Sequence, residues 1–148
     1  MPQETAGRGE LQMAEMIWNE KMSVGVQDLD DDHKKLVALL NEMDEAVVAG
    51  QSRDAVNAII DRLMVSIKAH FAREEDFMAK SDFPGAAEHH REHDETLMAI
   101  LEWQAHFKTA SSSILSPEVL NRFQSWLDNH IQGADMQYGP HMNSKGFY

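Results

Sequence analysis

The sequence contains no cysteine. Disulfides, thiolate metal ligands and a cysteine nucleophile are therefore excluded together. Proline and glycine are scarce, 4 and 8 of 148 residues, and strand-type alternation is hard to find, so the composition leans to helix. Basic residues are also few: Lys+Arg number 13 against 25 Asp+Glu, a net charge of −12. A chain that acidic is repelled by DNA, RNA and anionic lipid, which removes nucleic acid and membrane surfaces as partners. No apolar run reaches the roughly 18 residues of a membrane-spanning helix, and Met1-Pro2-Gln3-Glu4 lacks the regions of a signal peptide. The expected setting is cytoplasmic. With 43% hydrophobic and 26% charged residues, the chain reads as one globular domain of ordinary size. Its surplus is in histidine, of which there are 8.

Four segments carry helical periodicity. The first is expected from about Asp31 to Ala49, with Leu36/Val37, Leu40, Met43 and Val47 on one stripe and Gly50 as its stop. The second follows Ser52 as N-cap and runs from Arg53 to about Ala79, with Val56, Ile60, Leu63, Ile67 and Phe77 facing in. Phe83-Pro84-Gly85 breaks the chain before a third, Ala86 to about Lys108, carrying Leu97, Ile100 and Phe107. After a serine-rich loop, Thr109 to Ser113, the fourth opens with Ser116 and Pro117 and carries Leu120, Phe123 and Leu127 to about Gln132. The fold class expected is all-α, an antiparallel up-down-up-down four-helix bundle. Residues 1–17 form an N-terminal extension, 18–138 the bundle with an irregular arm at Trp18 to Asp32, and 139–148 a tail.

Each stripe, continued at helical spacing, runs into a polar residue. Leu40 and Leu36 lead back to His33; Leu63 and Ile67 lead on to His70 and Glu74. Ile100 and Leu97 lead back to His93 and His89, and Leu127 leads on to His130. A lone inward histidine is ordinarily satisfied by a backbone carbonyl. Five of them with a glutamate are not, because an unbonded buried polar group costs about 2–7 kcal/mol. A metal replaces the lost hydration and takes neutral imidazole and ionised carboxylate. His70 with Glu74 and His89 with His93 are i, i+4 pairs, which brings each pair to one helix face. Asp135 lies five residues beyond His130, a poor α-helical register, and Gly133 is expected to let the helix end unwind and turn that carboxylate back. Six or seven ligands exceed what one zinc needs, and without sulfur the set suits iron or manganese. The residues alone point to a histidine-rich dinuclear site inside a bundle.

With those residues in place, the chain resembles the hemerythrin family, its bacterial members in particular. The matching text is Trp18, Val24-Gly25 and Asp30-x-x-His33-x-x-Leu36, then His70-Phe71-x-x-Glu74-Glu75-x-x-Met78. Phe83-Pro84, His89-x-x-x-His93, Trp126-Leu127-x-x-His130-Ile131 and Asp135 follow in order. Phe83 stands where Tyr is common, and the long stretch between His93 and His130 suits the bacterial form.

The resemblance implies reversible O2 binding by two iron ions, with His89, His93 and His130 on one and His33 and His70 on the other. Glu74 and Asp135 would bridge them together with an oxo or hydroxo ligand. Phe71, Trp126, Leu127 and Ile131 match the positions lining the oxygen pocket. Oxygen uptake coupled to loss of the bridging proton leaves the buried site's net charge unchanged, which avoids a large solvation penalty. The expected role is an oxygen carrier or store, not an enzyme, and a monomer, with an oxygen-consuming or signalling protein as possible partner. The alternatives are an oxygen- or redox-sensing module and a ferroxidase, peroxidase or nitric-oxide-handling enzyme. Ferroxidase-type sites are richer in carboxylate than five histidines allow.

Of the remaining residues, His90, His106 and His141 are expected at the surface, and Asp28, Asp31 and Asp32 as capping and solvated charge. Asp30 is a candidate partner for the outer nitrogen of His33. Glu75, next to Glu74, is expected to point to solvent, and Trp18 and Trp103 to be core or rim. Tyr138 is expected either behind Asp135 or in a structural role.

Overall fold

The computed structural model of the chain describes residues 16–109 and 117–148. Four long helices form the bundle: α1 (Gln27–Val48), α2 (Arg53–Lys80), α3 (Ala86–Thr109) and α4 (Pro117–Asn129). A π-helical stretch, His130–Asp135, follows α4 without a break, and α5 (Met136–Ser144) continues from it. The Ser116 cap, the serines at 111–113 and the extension before residue 16 lie outside the described residues, as do the side chains of His106 and Phe107. No described helix is long and apolar enough to cross a membrane.

The helix ends follow from a few residues. α1 stops in a Schellman motif: Gly50, at φ +69°, donates to the Val47 carbonyl, and Gln51 donates to that of Ala46. α2 opens where Ser52 Oγ accepts from the Ala55 N–H, at 3.2 Å. It closes with the same motif, here with Asp82 in the left-handed region at φ 56° and Phe83 donating to the Met78 carbonyl.

α1 begins at Gln27, four residues before the expected start at Asp31. Its apolar stripe begins earlier too, because Leu29 is fully buried in register with His33, Leu36 and Leu40. The acidic run is thus helix and not arm. Asp30 serves the arm, accepting from Ser23 Oγ and from the Val24 N–H. It takes no part behind His33.

Two apolar clusters fill the interior. The larger includes Leu36, Leu40, Met43, Ile60, Leu63, Ile67, Phe71, Leu120, Leu127 and Ile131. The smaller joins Val24, Val26 and Leu29 to Met78, Tyr138 and Met142. The inward histidines and their partner carboxylates fall between the two: His33 between Leu29 and Leu36, Glu74 between Phe71 and Met78, Asp135 between Ile131 and Tyr138. Each fully buried Leu or Ile contributes about 1.5–3 kcal/mol, and these clusters hold the polar layer between them. The division after Tyr138 falls inside α5, and beyond it Phe147 rests on Phe77 with ring centroids 5.3 Å apart.

Candidate metal centre

The structure brings His33, His70, Glu74, His89, His93, His130 and Asp135 together in that layer, and all seven are buried. α1 supplies His33, α2 supplies His70 and Glu74, and α3 supplies His89 and His93. His130 and Asp135 open and close the π-helical stretch. Here the structure departs from the expected unwinding at Gly133. In a π-helix the hydrogen bonds run i→i+5, so residues five apart become neighbours on one face. The chain stays helical and the carboxylate returns by register. Gly133 is not needed for space, since a Cβ there would meet nothing within 4 Å.

Seven side chains sort into two overlapping sets. Glu74, His89, His93 and His130 offer ligand atoms all within 4.8 Å of one another, and so do His33, His70, Glu74 and Asp135. Asp135 divides its two oxygens between them. Oδ2 lies 2.7 Å from His33 Nε2, while Oδ1 lies 3.0 Å from His89 Nε2 and 3.1 Å from His130 Nε2. Glu74 reaches both sets without dividing so cleanly: Oε1 is 2.5 Å from His70 Nε2 and 3.3 Å from His130 Nε2, and Oε2 is 3.4 Å from His89 Nε2.

Few of these approaches are hydrogen bonds; His130 Nε2 with Glu74 Oε1, at 3.3 Å, is one. Glu74 Oε2, both Asp135 oxygens, and the Nε2 atoms of His89 and His93 are buried with no hydrogen-bond partner. Orphaned buried polar atoms are rare in native proteins, and so many aimed at one layer fit a cation. The donor set of imidazole nitrogen and carboxylate oxygen, with no sulfur, fits iron.

The charges are tightly linked. Burial disfavours a charged His70, but the carboxylates of Glu74, Asp135 and Asp32 outweigh it and hold its pKa well above the ordinary value. For His89 burial is likewise overcome, by Asp135 and Glu74, and the pKa rises to about 9. His93 goes the other way, to about 3, because burial and the neighbouring His89 and His130 outweigh the carboxylates. Burial would raise Glu74, yet His70 and His130 hold it well below the carboxylate range. Burial and Glu74 would raise Asp135, but the imidazoles of His130, His33 and His70 outweigh them and lower it.

The family model of the hemerythrin HHE cation binding domain matches residues 24–142. The chain belongs to the hemerythrin family. It is 30% identical over 126 residues to the bacteriohemerythrin of Stenotrophomonas maltophilia, covering 85% of this chain and 80% of that one. The hemerythrin-like protein of Naegleria gruberi is 31% identical over 121 residues, with 82% and 88% covered. A crystal structure of wild-type hemerythrin is similar at a TM-score of 0.80 and 27% identity, over 87% of this chain and 98% of that one.

Around the hemerythrin-type layer, Phe71 stacks on His93 at 3.7 Å between centroids, and Trp126 stacks on His130 at 5.4 Å. Leu127 and Ile131 are fully buried beside them. A cleft of about 640 Å³ between α3 and α4, lined by Ile100, Trp103, Phe123 and Trp126, ends at His130. Trp18 packs against His33 from the arm, with centroids 6.5 Å apart. Tyr138 is fully buried, its ring 5.7 Å from His89 and its hydroxyl without a hydrogen-bond partner. Burial, then Glu74 and Asp135, push its pKa well above 10.0, so it stays protonated.

Three surface expectations change. Asp32 is not merely solvated: its Oδ2 lies 3.2 Å from His70 Nδ1. Glu75 is half-buried, reaching within 3.7 Å of His93 Nδ1 and pairing with His90. His141 Nε2 donates to the Ser81 carbonyl at 2.7 Å and is only partly exposed. His90 is exposed as expected, and it also pairs with Asp94 at 3.2 Å. Adjacent helical residues point about 100° apart, so beside an inward His33 the Asp32 side chain faces α2, where His70 stands. That angle takes Asp32 off the inward stripe, and the position of α2 decides that it meets His70.

Proposed function

We propose that the chain binds O2 reversibly at a pair of iron ions, acting as an oxygen carrier or store. The observation that carries this is the division of the Asp135 oxygens between two sets of histidines, 2.7 Å from His33 on one side and 3.0 Å from His89 on the other. A single-ion site has no use for it. His89, His93 and His130 would hold one ion, His33 and His70 the other, and Glu74 and Asp135 both. When bound, the iron pair supplies the electrons that make oxygen uptake reversible.

The remaining chemistry belongs to the chain. One half has three histidines and the other two, so an ion on the His33/His70 side would have one protein ligand fewer and room for O2. Phe71 and Trp126 cover His93 and His130, and the fully buried Leu127 and Ile131 add apolar surface beside them that limits the access of water and anions. Tyr138 seals the opposite side with a protonated phenol. Five histidines, in place of a carboxylate-rich set, favour binding over ferroxidase turnover. The names of the relatives, bacteriohemerythrin and hemerythrin-like protein, support the same reading.

Absorption spectra of the iron-loaded protein in air, after reduction and after readmission of oxygen test this directly. A visible band that bleaches on removal of oxygen and returns on readmission is expected. A spectrum that changes once and does not return would contradict the carrier role.

A further inference from the structure

Behind His70 stand two charges that the O2-binding reading leaves unused. Its outer nitrogen, Nδ1, lies 3.2 Å from Asp32 Oδ2, and Arg73 Nε lies 3.0 Å from that same oxygen. The three side chains step outward from the core: His70 is 1% exposed, Asp32 19% and Arg73 46%. The other histidines with known outer contacts differ. His93 Nδ1 stands 3.7 Å from Glu75, beyond hydrogen-bond range, and His33 Nδ1 has no hydrogen-bond partner. Asp32 comes from α1, one residue before His33, so it ties together the two helices that supply the histidines of one half-site.

A carboxylate accepting the outer N–H of a ligating imidazole fixes its tautomer and raises its basicity toward the metal. A guanidinium on the same carboxylate oxygen draws charge the other way. We propose that Asp32 and Arg73 are positioning residues that set the donor strength of His70, Asp32 raising it and Arg73 restraining it. This rests on His33 and His70 holding one of two ions. It makes the half-site with fewer histidines adjustable from the surface, without any change to a ligand or to the apolar lining.

The two residues act with opposite sign, which a merely structural role does not produce. Cobalt(II) titrated into the metal-stripped chain, followed by visible absorption, reads the two binding events separately. Asp32→Asn should weaken one event by about 10–100-fold and leave the other unchanged. Arg73→Gln should strengthen that same event, by about two- to fivefold for a pair this exposed. Arg73→Lys, which keeps the charge, should restore the wild-type value. Equal weakening of both events by Asp32→Asn, or an Arg73→Gln shift in the same direction as Asp32→Asn, would overturn the proposal. If Asp32→Asn fails to fold by circular dichroism, the direction of the Arg73→Gln shift decides alone. A wild-type chain that binds fewer than two ions contradicts the two-ion reading and not the Asp32–Arg73 pair.

Discussion

His130 and Asp135 open and close one π-helical stretch, and Asp135 Oδ1 comes to 3.1 Å from His130 Nε2 across it. Five residues separate them, the i→i+5 spacing of π-helical hydrogen bonding. The wider turn places a histidine and a carboxylate at one point while the chain remains hydrogen-bonded. It also lets Asp135 reach His33 on the far side of the layer.

If register and not flexibility delivers Asp135, Gly133→Ala should leave two metal ions per chain. The new methyl meets nothing within 4 Å, and stability should rise by up to about 1 kcal/mol. Inserting an alanine after the exposed Gln132 should instead rotate Asp135 by about 100° and lower the metal content. Elemental analysis of both variants checks this. Loss of metal in Gly133→Ala would mean that the glycine acts as a hinge after all.

Much of this centre is legible from spacing alone. His33, His70, Glu74, His89, His93 and His130 stand on the apolar stripes, and a stripe is the part of a helix that sequence specifies most strongly. What escapes is set by geometry that the stripe does not encode. The start of α1 at Gln27 depends on Leu29 finding Met78, Tyr138 and Met142, which are distant in sequence. The π-helical turn changes the period itself, so five-residue spacing reads as a mismatch. Asp32 and Glu75 lie beside ligands and face neighbouring helices, and only the packing of those helices shows what they meet.

Acidity and alkalinity should act on the metal-stripped chain from both sides. With its folded pKa raised to about 9, His89 contributes stability fully present below 6.5 and lost as pH rises toward 9. His93, held near 3, stays neutral while the unfolded chain takes up a proton, so stability also declines as pH falls from 6.5 toward 3. Maximum stability is expected near neutral pH. Loading the metal should release protons, because His89 must lose one to bind. Urea midpoints across the pH range, with proton release measured on metal addition, check both; a midpoint still climbing at pH 9 would contradict the assignment of charge.

Leu127 is fully buried in the larger apolar cluster and ligates nothing. Leu127→Ala should therefore keep two ions per chain while costing roughly 2–5 kcal/mol of stability. The cavity admits water and anions, so autoxidation of the oxygenated protein should accelerate. Stopped-flow oxygenation followed by optical decay measures the rate. An unchanged rate would place the oxygen pocket away from Leu127, and with it Phe71, Trp126 and Ile131.

The central claim is that seven side chains from three helices and one π-helical turn hold two ions between two apolar clusters. Diffraction from crystals of the iron-loaded protein at the iron absorption edge tests it most directly. Two anomalous peaks are expected, about 3.5–4 Å apart, with Glu74 and Asp135 between them, three histidines on one and two on the other. A single peak, or two peaks that leave His33 or Asp135 without a metal contact, would contradict the account.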